Sequence, residues 1–65
     1  MKLHVNGEQH ELPAATLSEV LLLLDYDGDW LATAVNGELV HLEDRGACHV
    51  REHDRIEILS PMQGG

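Results

Sequence analysis

Cationic side chains are scarce in this chain of 65 residues: four Lys and Arg stand against twelve Asp and Glu, for a formal net charge of −8 with His neutral. A nucleic-acid duplex is met by Lys and Arg that release its counterions, so this balance argues against nucleic acid as a partner. Anionic membrane surfaces are disfavoured for the same electrostatic reason. Cysteine is nearly absent: Cys48 stands alone, which excludes an intramolecular disulfide and any Cys-x-x-Cys pair for zinc or redox work. Long apolar runs are missing too. The longest, Val20 to Leu24, falls far below the ~20 residues of a spanning helix. The opening Met1-Lys2-Leu3-His4-Val5 lacks the apolar run of a signal peptide. These absences lead us to expect a soluble, cytoplasmic, reduced protein.

Hydrophobic residues make up 43% of the chain, enough for a packed core despite the charge. A domain of this length buries only about 60% of its unfolded surface. That leaves little room to enclose a multi-step catalytic pocket, and it suits a protein that serves others. One domain, 1–65, accounts for the whole sequence.

Leu3 and Val5 alternate with Lys2 and His4, which is strand periodicity. Asn6-Gly7 then signals a two-residue hairpin turn, with Glu8 to Leu12 as the returning strand, ended by Pro13. Thr16-Leu17-Ser18-Glu19 reads as a capping box. Behind it Leu17, Val20, Leu21 and Leu24 form one helical stripe, and Leu22 projects to the opposite side. The stretch Asp25 to Asp29 stops the helix in a polar turn. Leu31, Thr33 and Val35 alternate with Ala32 and Ala34, and Asn36-Gly37 marks a second hairpin into Glu38 to His41. Leu42 to Cys48 reads as irregular, with Gly46 as its breaker. Arg55 to Leu59 alternates as the last strand. The order β-β-α-β-β-β predicts an α+β roll: a mixed sheet of about five strands with one main helix packed across it.

Most local signals for chemistry fail on inspection. Asp25-x-Asp27-Gly28-Asp29 places its glycine at position 4 and Asn36 at position 12, whereas an EF-hand needs glycine at 6 and a bidentate Glu at 12. His49 and His53 lack neighbouring cysteines or carboxylates at zinc spacing, and on a strand they would stand some 13 Å apart. They read as ordinary exposed histidines. Cys48 follows Gly46-Ala47 and precedes His49, with no helix N-terminus or Lys to activate it, so it reads as an inert, partly buried thiol. No catalytic residue and no metal ligand is assigned.

The ending Ser60-Pro61-Met62-Gln63-Gly64-Gly65 remains. It reads as a flexible tail, 61–65, reaching roughly 17 Å from Ser60 when extended. Glycines lack Cβ and can thread a narrow channel, so Met62, Gln63 and Gly64 would enter a partner's active site ahead of Gly65. An unbranched Gly65 leaves its acyl carbon open to a nucleophile. Its α-carboxyl, with a reference pKa near 3.5, is an anion at neutral pH and a poor electrophile. Chemistry there needs an activating partner, one that spends ATP to form an acyl-adenylate.

The sequence resembles the ThiS family of small sulfur carriers in thiamine biosynthesis, within the ubiquitin-like β-grasp fold. The matching residues are Leu3-His4-Val5-Asn6-Gly7, Thr16-Leu17-Ser18-Glu19, Ala34-Val35-Asn36-Gly37-Glu38, Asp54-Arg55-Ile56-Glu57-Ile58 and, most specific, Pro61-Met62-Gln63-Gly64-Gly65. The resemblance implies that Gly65 is adenylated by a ThiF-like enzyme using ATP and Mg²⁺. It implies further that sulfur from a cysteine desulfurase makes the adenylate a thiocarboxylate, and that a ThiG-like thiazole synthase receives the sulfur. The carrier itself would be a cosubstrate and not an enzyme, with no stably bound cofactor. Rival readings are a carrier for molybdopterin synthesis, a ubiquitin-like protein modifier, and an interaction module with an idle tail. The chain departs from many relatives at His41-Leu42, where they carry Pro, and at His53-Asp54, where they carry Gly-Asp. Should that turn need a positive φ, His53 is a strained but tolerable occupant.

Overall fold

The computed structural model describes residues 1–26 and 30–60. Strands β1 (Lys2–Val5), β2 (Glu8–Glu11), β3 (Ala32–Val35), β4 (Glu38–Val40) and β5 (Arg55–Leu59) form one sheet in the order β2-β1-β5-β3-β4. Helix α1 (Leu17–Leu23) lies between β2 and β3 in the chain. The last strand thus takes the centre, parallel to β1 and antiparallel to β3. This is the mixed sheet and single helix expected of a β-grasp roll.

Both hairpins close where Asn-Gly stands. Val5 pairs Glu8 and Val35 pairs Glu38, leaving two-residue loops. The backbone is left-handed at Asn6 (φ 52°), Gly7 (83°), Asn36 (52°) and Gly37 (86°), as a type I′ turn demands and as Asn and Gly tolerate. Turn chemistry outweighs strand propensity in β2, whose Glu-Gln-His-Glu composition is poor for a strand. On an edge, those polar residues discourage pairing with another chain.

Thr16 caps α1: its hydroxyl accepts the Glu19 N–H at 3.3 Å, while the Glu19 carboxylate accepts the Ala15 and Thr16 N–H groups at 2.6 and 3.3 Å. Leu17 N–H, another donor without a partner inside the helix, donates to the Cys48 carbonyl at 2.8 Å. Leu17, Val20 and Leu21 are buried and Leu24 is partly buried, whereas Leu22 is 75% exposed, as the stripe predicts. They pack on Leu3 and Val5 of β1, Ile56 and Ile58 of β5, with Ala14, Leu31 and Val50 completing the core. Asp25 at φ 63° ends the helix. The rest of the expected polar turn, Asp27 to Asp29, lies outside the described residues.

One expectation fails. Leu42–Ala47 is a 3-10 helix running through Gly46, not an irregular stretch broken there. A glycine inside a helix costs only about 0.5–1 kcal/mol, and the segment is anchored from within by a side chain that the sequence did not single out. Arg45 is only 4% exposed. Its Nε donates to Thr33 Oγ1 at 3.1 Å and its Nη2 to the Leu31 carbonyl at 2.5 Å.

Candidate functional site

The central strand β5 leads directly to the segment in which the chemistry was expected. Gly65, Gly64, Gln63 and Met62 lie outside the described residues, so the geometry that bears on them is that of β5 and Ser60. The start of β5 is joined to β1: His53 N–H donates to the Lys2 carbonyl at 2.6 Å and His4 N–H to the Asp54 carbonyl at 2.9 Å. His53 sits at φ 71°, so the turn does need a positive φ and His53 is its strained occupant. Asp54 fixes that turn, its carboxylate accepting from Arg51 N–H at 2.8 Å and from Asn36 Nδ2 at 2.9 Å.

On its β3 side, β5 is paired out to its last residue, Ala32 opposite Leu59. On its β1 side the pairing stops at Val5 opposite Ile56. Beyond that point a side chain replaces the missing strand. Asn6 Oδ1 accepts from Ile58 N–H at 2.8 Å, and Asn6 Nδ2 donates to the Ile58 carbonyl at 3.1 Å. The backbone N–H of Asn6 donates to the Ile56 carbonyl at 2.9 Å. Asn36 does the same for the other end of the strand: Asn36 Oδ1 accepts from Arg55 N–H at 3.0 Å, and Asn36 N–H donates to the Arg55 carbonyl at 2.7 Å. The two turn asparagines therefore grip β5 from opposite sides. The Asn-Gly signal located both turns, but nothing local announced that their side chains would meet one strand, 52 residues on from Asn6 and 19 from Asn36.

The sheet face turned away from α1 carries an apolar patch at this end. Leu39 and Leu59, 64% and 69% exposed, flank a shallow depression with Ala32 and Ala34. Leu59 is next to Ser60, so the patch lies at the root of the terminal segment.

The discarded candidates remain apart. Cys48 is partly buried and packs against the core edge. His49 makes an isolated bridge with Thr16 and His53 occupies a turn, so neither lies on the regular strand that would align them. Among the described residues no three His, Cys, Asp or Glu side chains gather as metal ligands. Glu11 is exposed and stands beside the Met1 ammonium. Its carboxylate accepts from the Met1 ammonium at 2.6 Å, and that hydrogen bond lowers its pKa below the usual 4.5. No helix among the described residues is long and apolar enough to cross a membrane.

A five-stranded mixed sheet with one helix across it, the last strand central and running into a terminal segment, defines a ubiquitin-like β-grasp protein. The match to known proteins narrows this. Residues 3–65 match the ThiS family, and the chain belongs to it. It superposes on the crystal structure of the thiamine biosynthesis protein ThiS from Geobacter metallireducens with a TM-score of 0.82, 30% identity and full coverage of both chains. A solution structure of a thiamine biosynthesis protein from that organism gives the same TM-score and identity, covering all of this chain and 88% of the other. A thiazole synthase from Magnetococcus marinus is 36% identical over 66 residues, covering all of this chain. The chain spans only 20% of that relative's length.

Proposed function

We propose that this protein carries sulfur as a thiocarboxylate on Gly65 and delivers it for thiazole formation. The observation that carries the reading is that the ThiS match runs through residue 65 and so takes in Gly64-Gly65, just beyond a strand held on both sides. In this reading the Gly65 carboxylate attacks the α-phosphorus of ATP on a ThiF-like enzyme, which supplies Mg²⁺, and pyrophosphate leaves. The terminal sulfur of a persulfide from a cysteine desulfurase then attacks the acyl carbon and AMP leaves. A thiol cleaves the resulting acyl disulfide, taking up one sulfur as a disulfide and releasing the thiocarboxylate. That soft sulfur attacks a carbonyl or imine better than a carboxylate oxygen does.

The chain's own part is to present and not to catalyse. With the body docked outside, an extended terminal segment reaches roughly 17 Å into a partner, led by Gly65 and followed by Gly64, Gln63 and Met62. The apolar face of Leu39, Leu59, Ala32 and Ala34 is the side we assign to the partner, because it adjoins Ser60. The net charge of −8 favours encounter with basic surfaces at low salt. The thiazole synthase relative, which contains a stretch similar to this whole chain, supports thiazole over molybdopterin as the destination.

The test is intact-mass analysis after incubation with a ThiF-like enzyme, ATP, Mg²⁺, a persulfide source and a thiol to cleave the acyl disulfide. One oxygen of Gly65 exchanged for sulfur is expected. An unchanged mass overturns the carrier reading, and lysine conjugates on an immunoblot would replace it with a protein modifier.

A further inference from the structure

We infer that Asn6 is a positioning residue for the terminal chemistry, acting through Ile58 to hold the last rung of β5 from which the terminal segment departs. The inference rests on the carrier reading and adds a residue to it.

A strand residue points its N–H and C=O to the same side, and successive residues alternate sides. Ile56 and Ile58 therefore both face β1. The Ile56 carbonyl is met by backbone, the Asn6 N–H at 2.9 Å, but β1 has ended by the time Ile58 is reached. The Asn6 amide stands in for the absent strand, presenting an acceptor and a donor at 2.8 and 3.1 Å. On the β1 side this one amide serves both Ile58 backbone groups. Asn6 Nδ2 also lies 3.4 Å from the Tyr26 hydroxyl, which ties this corner to the end of α1.

The choice of residue follows. The turn needs φ near 52° at position 6, which Gly, Asn or Asp supplies. Only Asn adds a side chain that both donates and accepts. Gly would satisfy the turn and leave Ile58 unpaired on that side. Asp would keep the acceptor for Ile58 N–H and set an oxygen against the Ile58 carbonyl. Ile58 is two residues from Ser60. Releasing its backbone lengthens the part of the chain that must be ordered when Gly65 enters a partner's active site. Ordering one more residue costs a factor of about 5 to 30 in the productive fraction. The apolar docking face is untouched, so the loss falls on turnover and not on docking.

Asn36 provides the matched control. It closes the other hairpin with the same backbone angles and grips Arg55, at the far end of β5 from the terminal segment.

The experiment measures steady-state pyrophosphate release by a ThiF-like enzyme with ATP and Mg²⁺. The carriers compared are wild type, Asn6→Gly, Asn6→Asp and Asn36→Gly, at a temperature well below every melting transition. Hydrogen exchange at the Ile58 amide is followed alongside. Asn6→Gly is expected to lower kcat about fivefold or more with KM within about twofold, to speed exchange at Ile58, and to leave Asn6→Asp between it and wild type. Asn36→Gly is expected to keep both constants within about twofold of wild type, since a strand end remote from the tail does not set its entry. Equal kcat for Asn6→Gly and wild type overturns the proposal, as does an equal loss in Asn36→Gly, which would make both asparagines general braces. Should Asn6→Gly not fold, Asn6→Asp decides on the same criteria. A wild type that releases no pyrophosphate overturns the carrier reading and the proposal with it, and that outcome is distinct from an active wild type matched by an active variant.

Discussion

Arg45 lies behind Thr33, its Nε donating to the threonine hydroxyl at 3.1 Å while that hydroxyl donates onward to the Val40 carbonyl at 2.8 Å. A chain with four cationic side chains has buried one of them, 4% exposed, to join the 3-10 helix, β3 and β4. The guanidinium also satisfies the Leu31 carbonyl, just before the point where β3 meets the end of β5. Replacement by Met keeps much of the volume and strands that carbonyl. Arg45→Met is expected to cost about 1–3 kcal/mol, seen as a fall in Tm of about 5 °C or more. An unchanged thermal melt would show the guanidinium to be dispensable.

Thr16→Ala removes the hydroxyl that accepts the Glu19 N–H and half of the capping box. Its expected cost is about 1 kcal/mol, measured by urea unfolding with an unchanged m-value. A loss confined to the far side of the sheet by hydrogen exchange would contradict the local origin assigned to it.

Gly65→Ala is expected to leave the thermal melt in place, because the described core ends at Ile58. Adenylation by a ThiF-like enzyme should fall about tenfold or more, since a Cβ beside the acyl carbon displaces the reacting atoms. A large drop in Tm would instead mean that Gly65 packs into the fold.

Leu59→Asp places a charge in the apolar face beside Ser60 without entering the core, Leu59 being 69% exposed. Affinity for the activating enzyme, read by titration calorimetry, is expected to weaken by about 1 kcal/mol or more, with the fold intact by circular dichroism. The matching change at Leu22, on the outer side of α1, should leave that affinity unaltered. Equal losses at both positions would move the interface off the sheet.

The pH response of Glu11 has a definite sign. Its hydrogen bond to the Met1 ammonium lowers its pKa from the ordinary 4.5. A depressed carboxylate contributes stability above its unfolded pKa and loses it as the pH falls through the folded value. The side chain is exposed, so the effect on unfolding is small, and the direct measurement is its carboxyl resonance. A midpoint below 4.5 is expected, returning upward when the α-amino group is acetylated.

Features set by neighbours in sequence were legible, and features set by distant meetings were not. The capping box at Thr16, the stripe Leu17-Val20-Leu21 and the two Asn-Gly turns are local, and each took the form that its residues dictate. Leu22 was placed outside by the helical period alone. The burial of Arg45 depended on Thr33 of β3 and on Leu31 just before it, and the sequence around Gly46 suggested a break where a 3-10 helix runs on. Asn6 was legible as a turn former but not as a partner of Ile58, because a side chain's second use is invisible until the topology brings β5 alongside β1. The terminal glycines were singled out by their chemistry and not by their packing. Their reading therefore rests on sequence and family, with the structure supplying the strand that precedes them.

Side-by-side parallel strands have an orientation that their sequence order conceals. Because β1 and β5 run the same way, Lys2 lies by the turn at His53 while Ser60 emerges at the opposite rim of the sheet. The molecule has two poles. Cargo bonded ahead of Met1, whether an affinity label, a bead or a companion domain, would hang from the rim opposite Ser60 and leave the Ser60 rim unobstructed.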